Sequence, residues 1–442
     1  MKSMKKEAQR RTKASTEKPV KKRTTKKAAK SSSKKSVHSS THKHPVGGEE
    51  AEKPLTFESV LKNSIYRQRE VLYSTVPPTG FLHRVKQKNS LILELSPILM
   101  NSSAPAIFVY GPPGTGKTGI INDLTTQLQN EADKRDVKIT PLYVNCSENR
   151  TTTVILVDLL NQMDDTKIYS KVGATRSNVV DQFHKVLNKE KANYLIILDE
   201  VDYVLRQEGD DLLYLMSRIN NKVKSSTSTI LISNDIKVQD YLKPRTQSTL
   251  GRIRIIFSPY NEQELFDILH DRAKLAFAKG VVSDDVLMHI AEIEAQRQGD
   301  ARRALELLDT CAKVAMVENK QKITKEMVAQ ADAMLEQDSI LKTIMSFTKH
   351  QRILYLSLIK SNSNELLSSG VYTNYVQECN AYGINPLTER SVRSFLVEFD
   401  NLGLIETEVG WLKSVKKKSK KIMLNVDDAV KNKIRKTLRD NI

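Results

Sequence analysis

Apolar positions along the chain change their periodicity twice, and each change marks a different kind of packing. In the first half, short strand-like runs that are mostly apolar recur at 106–110, 139–144, 194–198, 229–233 and 253–257, with helix-compatible stretches such as 120–130 between them. A run that is apolar throughout, rather than at alternate positions, suits a strand covered on both faces. Five such runs separated by helical segments predict a doubly wound parallel sheet in an α/β domain. From Asn261 to about Leu335 the pattern becomes helical only, with Leu265, Ile268, Leu269 and Leu275 at helical spacing.

The second change comes near Ser339. Segments 351–359 and 372–382 read as amphipathic helices, Gly383-Ile384-Asn385-Pro386 breaks the chain, and a third helix begins at Thr388. In it Val392, Phe395, Leu396 and Phe399 fall at i, i+3, i+4 and i+7, one buried stripe, while Thr388, Arg390, Arg393 and Ser394 occupy the other face. Helix, helix, turn, helix is the plan of a helix-turn-helix domain, whose last helix enters the major groove and meets base edges with its N-terminal residues. Short strands at 404–407 and 421–425 then bracket a loop carrying Lys413, Lys416, Lys417, Lys418 and Lys420. Two strands around a basic tip make a wing, and its lysines suit phosphate contacts better than base readout. Trp411 is expected in the hairpin core.

Candidate chemistry sits at the ends of these elements. Gly111-Pro112-Pro113-Gly114-Thr115-Gly116-Lys117-Thr118 follows the first apolar run and precedes a helix-compatible stretch. In that context the glycines let backbone N–H groups turn inward around a polyphosphate, Lys117 reaches the β- and γ-phosphates, and Thr118 ligates Mg²⁺ at a helix N-terminus. The pattern implies a bound nucleoside triphosphate. The run 194–198 ends in Asp199-Glu200, at the sheet edge where open α/β sheets bind their ligands. Asp199 is expected to hold Mg²⁺, and Glu200 to polarise the attacking water as general base. Asn234, after the run 229–233, is placed to hydrogen-bond the γ-phosphate or the lytic water. Gly299-Asp300-Ala301-Arg302-Arg303-Ala304-Leu305 opens a helix with basic residues near its N-terminus, where an arginine opposes the helix dipole unless an anion is bound.

At 442 residues the chain exceeds what one core usually holds. Its hydrophobic content of 39% is modest for a local reason: residues 1–53 hold 17 Lys/Arg against 5 Asp/Glu, a net +12 of the formal +18, and almost no large apolar side chains. Such a tail cannot bury enough surface to fold, and as a disordered basic arm it is expected to lie on nucleic acid through counterion release. A solubilising extension, or a nuclear import signal at Lys21-Lys22-Arg23, are the other readings. No run approaches the roughly 18 apolar residues of a membrane span, so a soluble intracellular protein without a membrane partner is expected. Cys146, Cys311 and Cys379 lie far apart without Cys-x-x-Cys pairing, which argues against zinc and against a disulfide framework.

In combination, the P-loop, the Asp-Glu strand end, the asparagine after the next strand and Gly-Asp-Ala-Arg in a helical block resemble an AAA+ ATPase. Lys243-Pro244-Arg245-Thr246-Gln247-Ser248-Thr249-Leu250 followed by Phe257-Ser258-Pro259-Tyr260 narrows the resemblance to the archaeal replication initiators, a family that unites the largest eukaryotic origin-recognition subunit with its cell-division-control loader. It runs from about Phe57 to the C-terminus. After the basic tail at 1–53, whose disorder is expected from its composition, the resemblance implies a five-stranded P-loop ATPase domain at 54–258, a helical lid at 259–337 and a winged-helix DNA-binding domain at 338–442. It implies ATP or ADP with Mg²⁺, slow hydrolysis to ADP and phosphate used as a switch, and binding to double-stranded origin DNA. Further implied partners are the replicative helicase, which the protein would help recruit or load, and further copies or related initiator subunits on DNA. The expected setting is the cytoplasm at the nucleoid, or the nucleus in a eukaryote.

Carried over residue by residue, Gly114, Thr115, Gly116, Lys117 and Thr118 become the phosphate cradle, Asp199 and Glu200 the metal and water residues, and Asn234 the first sensor. Tyr260 and Arg272 line the nucleotide, Arg302 is the second sensor at the γ-phosphate, and Arg245 is an arginine finger entering a neighbouring subunit's site. The segment from Val76-Pro77-Pro78 to His83-Arg84 resembles the family's linker beside the adenine. The long stretch between Cys146 and Tyr194 is implied to be a helical insertion touching DNA through Lys171 and Arg176, an ordinary surface loop being the other reading. The competing class is a clamp-loader-like or other AAA+ assembly ATPase, whose C-terminal collar would be helical throughout.

Overall fold

The computed structural model describes residues 57, 64–164, 167–189, 191–250, 253–361, 366–412, 417–426 and 428–442, with backbone alone at 366–369, 409–412, 417–420 and 428–429. The basic segment 1–53 and the wing residues Lys413 and Lys416 lie outside the described residues. The expected strands form one parallel sheet: β1 (Ile107–Tyr110), β2 (Ile139–Asn145), β3 (Asn193–Asp199), β4 (Ser226–Ser233) and β5 (Ile253–Ile256), in the order β2-β3-β4-β1-β5.

Because side chains alternate along a strand, each apolar run feeds two cores. Ile107, Val109, Leu195, Ile197, Ile230 and Ile232 enter one, where α1 (Val85–Leu95) and α2 (Lys117–Asp133) add Leu91, Leu95, Ile120 and Leu124. Phe108, Tyr110, Ile196, Leu198 and Leu231 enter the other, covered by α3 (Thr152–Met163) and α4 (Arg176–Lys189) through Leu156, Leu159 and Phe183. Each large side chain buried this way contributes about 1.5–3 kcal/mol, so helices on both faces are the stable arrangement. Two shorter helices, α5 (Asp202–Glu208) and α6 (Asp211–Arg218), follow β3, and α7 (Pro244–Thr249) follows β4. Tyr110 pairs with Ser233 and Asn145 with Asp199, which brings the carboxyl ends of the central strands to one edge.

Next come four helices, α8 (Glu262–Ala276), α9 (Asp284–Arg297), α10 (Ala301–Val317) and α11 (Lys325–Ser346). A capping box starts α8: Asn261 Oδ1 accepts from Glu264 N at 2.9 Å, and Glu264 Oε2 accepts from Asn261 N at 3.0 Å. Their core holds Leu265, Leu269, Leu307 and Leu308, and also Ile65 and Leu72 from the segment that precedes the sheet. That segment is a strap. It is fastened by Asp309 of α10, a buried carboxylate that accepts from Tyr66 at 2.8 Å, from Arg69 at 2.8 and 2.9 Å, and from Tyr73, and that pairs with Lys313 at 2.7 Å. Burial alone would raise its pKa, but the donors, Arg69 foremost, hold it well below the usual carboxylate range.

The long helix α11 begins in the lid core with Met327, Val328 and Ala331 and ends in a separate core with Ile344. The boundary expected between residues 337 and 338 therefore falls inside one continuous helix. The last part comprises α12 (Lys349–Lys360), β6 (Leu366–Leu367), α13 (Ser368–Ala381), α14 (Glu389–Asn401), β7 (Ile405–Leu412), β8 (Lys417–Leu424) and α15 (Asp428–Asn441). Its antiparallel sheet has the order β6-β8-β7. Both hairpin strands run further toward the tip than their apolar residues indicated, because backbone pairing continues from Ile405↔Leu424 to Leu412↔Lys417.

Candidate functional site

Between the carboxyl edge of the sheet, the lid and the strap lies a cavity of about 610 Å³. On its floor β1 runs into the P-loop and α2 starts at Lys117. Gly114 and Gly116 have φ of 69° and 90°, values that glycine alone adopts cheaply. At Gly114 an added Cβ would lie 1.6 Å from Asp300 Oδ1, so lid and P-loop meet there. Lys117 is buried, and its Nζ donates to Gly111 O and Pro112 O, both at 2.7 Å. Burial pushes its ammonium down to about 8, against the pull of Asp199, while the charge of Arg302 pushes it the same way. An ammonium held this way is short of counter-charge, which a polyphosphate supplies.

Behind it, Thr118 Oγ1 donates to Asp199 Oδ2 at 2.7 Å, and Tyr143 Oη of β2 donates to the same oxygen at 3.0 Å. Burial and the neighbouring Asp199 raise the pKa of Tyr143, so the phenol stays protonated as a donor. The other carboxylate oxygen of Asp199 accepts from Glu200 N at 2.9 Å. Glu200 takes a left-handed φ of 55°, and its Oε1 accepts from Asn234 Nδ2 at 3.2 Å. Buried Asp202 accepts from Ser233 Oγ at 2.9 Å and from Asn234 N at 3.3 Å, which fixes the turn that presents Asn234.

The roof comes from the lid and the strap. Tyr260 is buried, with the Arg84 guanidinium 3.7 Å from its ring centroid. Arg84 also donates to Thr115 O at 3.1 Å and to Ser258 O at 2.7 Å, tying strap, P-loop and lid entrance together. Arg272 reaches the lining from α8 with its guanidinium donated to Val71 O at 2.5 Å and Ser74 O at 3.2 Å, so it holds the strap as the pocket wall. His83 Nε2 meets Asp267 Oδ2 at 2.8 Å and pins the far end of the strap to the same helix.

The first turn of α10 divides its two arginines. Asp300 caps the helix by accepting from Arg302 N at 2.8 Å and Arg303 N at 3.2 Å, and Arg303 pairs with Glu294 at 3.3 Å. Arg302 faces the cavity, and among the described residues its guanidinium has no ion-pair or hydrogen-bond partner. The anion expected of this sequence is thus needed by Arg302 alone.

The remaining candidates lie elsewhere. Arg245 is on α7, outside the lining of its own chain's cavity, paired with Asp211 at 2.8 Å and 4.8 Å from the Tyr214 ring centroid. Arg176 shares that carboxylate at 3.1 Å, and Lys171 pairs with Asp158 at 2.7 Å. On α14, Val392, Leu396 and Phe399 of the expected stripe are buried and Phe395 is partly buried, while Arg390, Arg393 and Ser394, with Thr388 as the helix cap, are exposed. Arg393 pairs with Glu389 at 2.7 Å. Lys417, Lys418 and Lys420 lie on β8, opposite Leu412, Trp411 and Val409. All three cysteines are buried and free. Among the described residues no helix is long and apolar enough to cross a membrane.

Three residues of this arrangement carried no sequence signal, Tyr143, Asp202 and Asp309, while Arg84 was legible only as the end of the segment that resembles the family's linker. Each of the three acts through partners distant in sequence or through one hydrogen bond, with no local motif around it. The apolar spacing Val430, Ile434 and Leu438 is a further signal in the sequence, and these residues are buried on one face of α15.

A P-loop on the central strand, Asp-Glu and Asn at the neighbouring strand ends, a helical lid closing over them and a terminal winged helix together define an AAA+ ATPase fold with a DNA-binding type of appendage. Three family models match: "AAA domain" at residues 100–242, "Cdc6 AAA+ ATPase-type lid domain" at 266–333 and "CDC6, C terminal winged helix domain" at 342–432. The chain is 34% identical over 357 residues to ORC1-type DNA replication protein 1 of Archaeoglobus fulgidus, covering 80% of this chain and 87% of that protein. It is 35% identical over 354 residues to ORC1-type DNA replication protein 1 of Sulfolobus acidocaldarius, covering 79% and 88%. Among solved structures, the Aeropyrum pernix ORC1 protein in complex with DNA superimposes with a TM-score of 0.74 at 27% identity, over 85% of this chain and 97% of that one. Cdc6p from Pyrobaculum aerophilum shares the fold, with a TM-score of 0.54 at 22% identity over 85% and 99%. The chain belongs to the ORC1-type DNA replication proteins, the Orc1/Cdc6 family of AAA+ replication initiators.

Proposed function

We propose that this chain is an ATP-switched initiator that binds duplex DNA at a replication origin and helps recruit or load the replicative helicase, in company with further copies or related initiator subunits. The observation that carries the reading is the convergence in one cavity of Lys117, the Thr118–Asp199 pair, the Glu200–Asn234 pair and Arg302, which has no side-chain partner among the described residues. Every one of these groups is of the kind that triphosphate recognition and hydrolysis require. The Thr118 hydroxyl and the Asp199 carboxylate are oxygen donors, the ligand class Mg²⁺ takes, and these two residues would hold it. When bound, the ion would supply charge neutralisation for the phosphates. Lys117 binds the phosphates, Asn234 holds Glu200 toward the attacking water, and Glu200 accepts its proton. Arg302 senses the γ-phosphate from the lid, and Arg245 serves a neighbouring subunit's site.

For DNA, the support is α14 with its exposed Arg390 and Arg393, the lysines of β8 and the basic arm, together with kinship to a protein whose structure was solved in complex with DNA. Arg176 at the start of α4 and Lys171 in the stretch before it would add further phosphate contacts by exchanging their carboxylate partners for DNA. A helical collar, as the clamp-loader alternative requires, does not fit a C-terminal part that carries a three-stranded antiparallel sheet. The test is nuclease protection of duplex fragments flanking the chain's own gene, with ATP and Mg²⁺ present. A discrete protected site supports the reading, and uniform cleavage at saturating protein removes it.

A further inference from the structure

Besides its arginines, the exposed face of α14 carries a valine. Val397 is 52% exposed and lies outside the core that takes Val392, Leu396 and Phe399. An exposed apolar residue is ordinary on most surfaces, and Val85 and Val317 are likewise exposed on helices, but this one lies on the helix proposed to enter DNA. All its exposed neighbours on the helix, Arg393, Ser394, Glu398 and Asn401, are polar. Valine is also a weak helix former, so local structure is no reason for it at a solvated helical position.

Arg390, Ser394 and Val397 stand at i, i+4 and i+7, one face of the helix. Arg390 has no ion pair or hydrogen bond among the described residues, whereas Arg393 is tied to Glu389. A guanidinium open to a ligand and an isopropyl group therefore share the face, separated by about 10 Å along the axis at ~1.5 Å per residue. That span is about three base steps of duplex DNA at ~3.4 Å each.

We propose that Val397 is a specificity-determining residue that packs on the C5-methyl group of a thymine in the major groove, about three base pairs from the position reached by Arg390. The inference rests on the reading that α14 enters duplex DNA. Thymine is the base that offers a methyl group in that groove, so an apolar side chain among polar ones selects it without a hydrogen bond.

The test uses the full chain and a duplex recovered by in vitro selection from a random library, with each thymine replaced in turn by deoxyuridine. That change removes the methyl group and leaves pairing and hydrogen-bonding edges intact. One thymine is expected whose replacement weakens binding about four-fold, the equivalent of one methyl-sized contact. Val397→Ala should bind thymine and uracil equally there, and Val397→Thr, which keeps a methyl group, should retain part of the preference. Tight selected binding with no thymine sensitivity, or unchanged sensitivity in Val397→Ala, overturns the assignment of Val397 alone. Failure to bind any duplex overturns the DNA reading and this inference with it.

Discussion

The Thr118 hydroxyl donates to Asp199 Oδ2 across 2.7 Å, joining the first turn of α2 to the end of β3 although 81 residues separate the two in sequence. Parallel pairing of β3 with β4 and of β4 with β1 makes the contact, because it ends the strands that carry these motifs at one edge. Tyr143 then holds the same carboxylate from β2, so the position of Asp199 is set from both sides. The nucleotide chemistry of the proposal starts from this pair.

Lys117 is buried on the cavity floor, and the proposal assigns its ammonium to meet the phosphate charge. Lys117→Ala is expected to weaken binding of a fluorescent ATP analogue by about 100-fold or more, the loss of charge-assisted hydrogen bonds to phosphate. Unchanged affinity would take the P-loop out of the account.

Glu200 is held by Asn234 and assigned to water activation rather than to binding. Glu200→Gln should keep ATP affinity within a few-fold and lower turnover by about 10²–10⁴. Single-turnover hydrolysis at the wild-type rate would remove its role as general base.

Among the described residues Arg302 has no ion-pair partner, and it faces the cavity from the lid. Arg302→Ala is expected to lower affinity for ATP about ten-fold while leaving ADP affinity nearly unchanged, since the γ-phosphate is its assigned partner. Equal loss for both nucleotides in calorimetry would place its contact elsewhere.

Asp309 fastens the strap that forms one pocket wall. Its folded pKa is depressed below the unfolded value, so its stabilisation is fully present above the unfolded pKa of about 3.9 and is lost as pH falls through the lower folded value. Asp309→Asn should cost about 2–3 kcal/mol near neutral pH, at the low end for a buried ion pair because Arg69 and Lys313 are half-exposed. In thermal melts the gap between wild type and variant should be constant above pH 5 and shrink below pH 4. A gap independent of pH across that range would mean the carboxylate charge contributes nothing.

Lys413, Lys416, Lys417, Lys418 and Lys420 form the basic run of the wing. Replacing them with alanine should reduce the slope of log K against log salt by about 0.9 for each phosphate contact removed. An unchanged slope would assign the counterion release to the tail and to α14.

The sheet and the catalytic candidates were legible because each motif directly abuts an apolar run: Gly111 follows Tyr110, Asp199 ends 194–198, and Asn234 follows Ser233. Strand and site announce each other there. Residues that act across the fold announce nothing, since Tyr143 finds Asp199 56 positions away and Arg69 finds Asp309 240 away. Arg272 illustrates the limit: its place at the pocket was readable, but its use, donating to two strap carbonyls, depends on where an unpatterned segment docks. In the winged helix the stripe of α14 was read residue by residue, whereas the two-residue strand β6 is too short to leave a periodicity.

The central claim is that nucleotide state in the cavity governs the hold on duplex DNA. It is tested most directly by fluorescence anisotropy of the chain on the fragment flanking its own gene, beside random duplex, across a salt series with ATP or with ADP. The account predicts preferential binding to one fragment, an affinity that differs between the two nucleotides, and loss of that difference in Lys117→Ala. Identical binding to all duplexes in either nucleotide would contradict it.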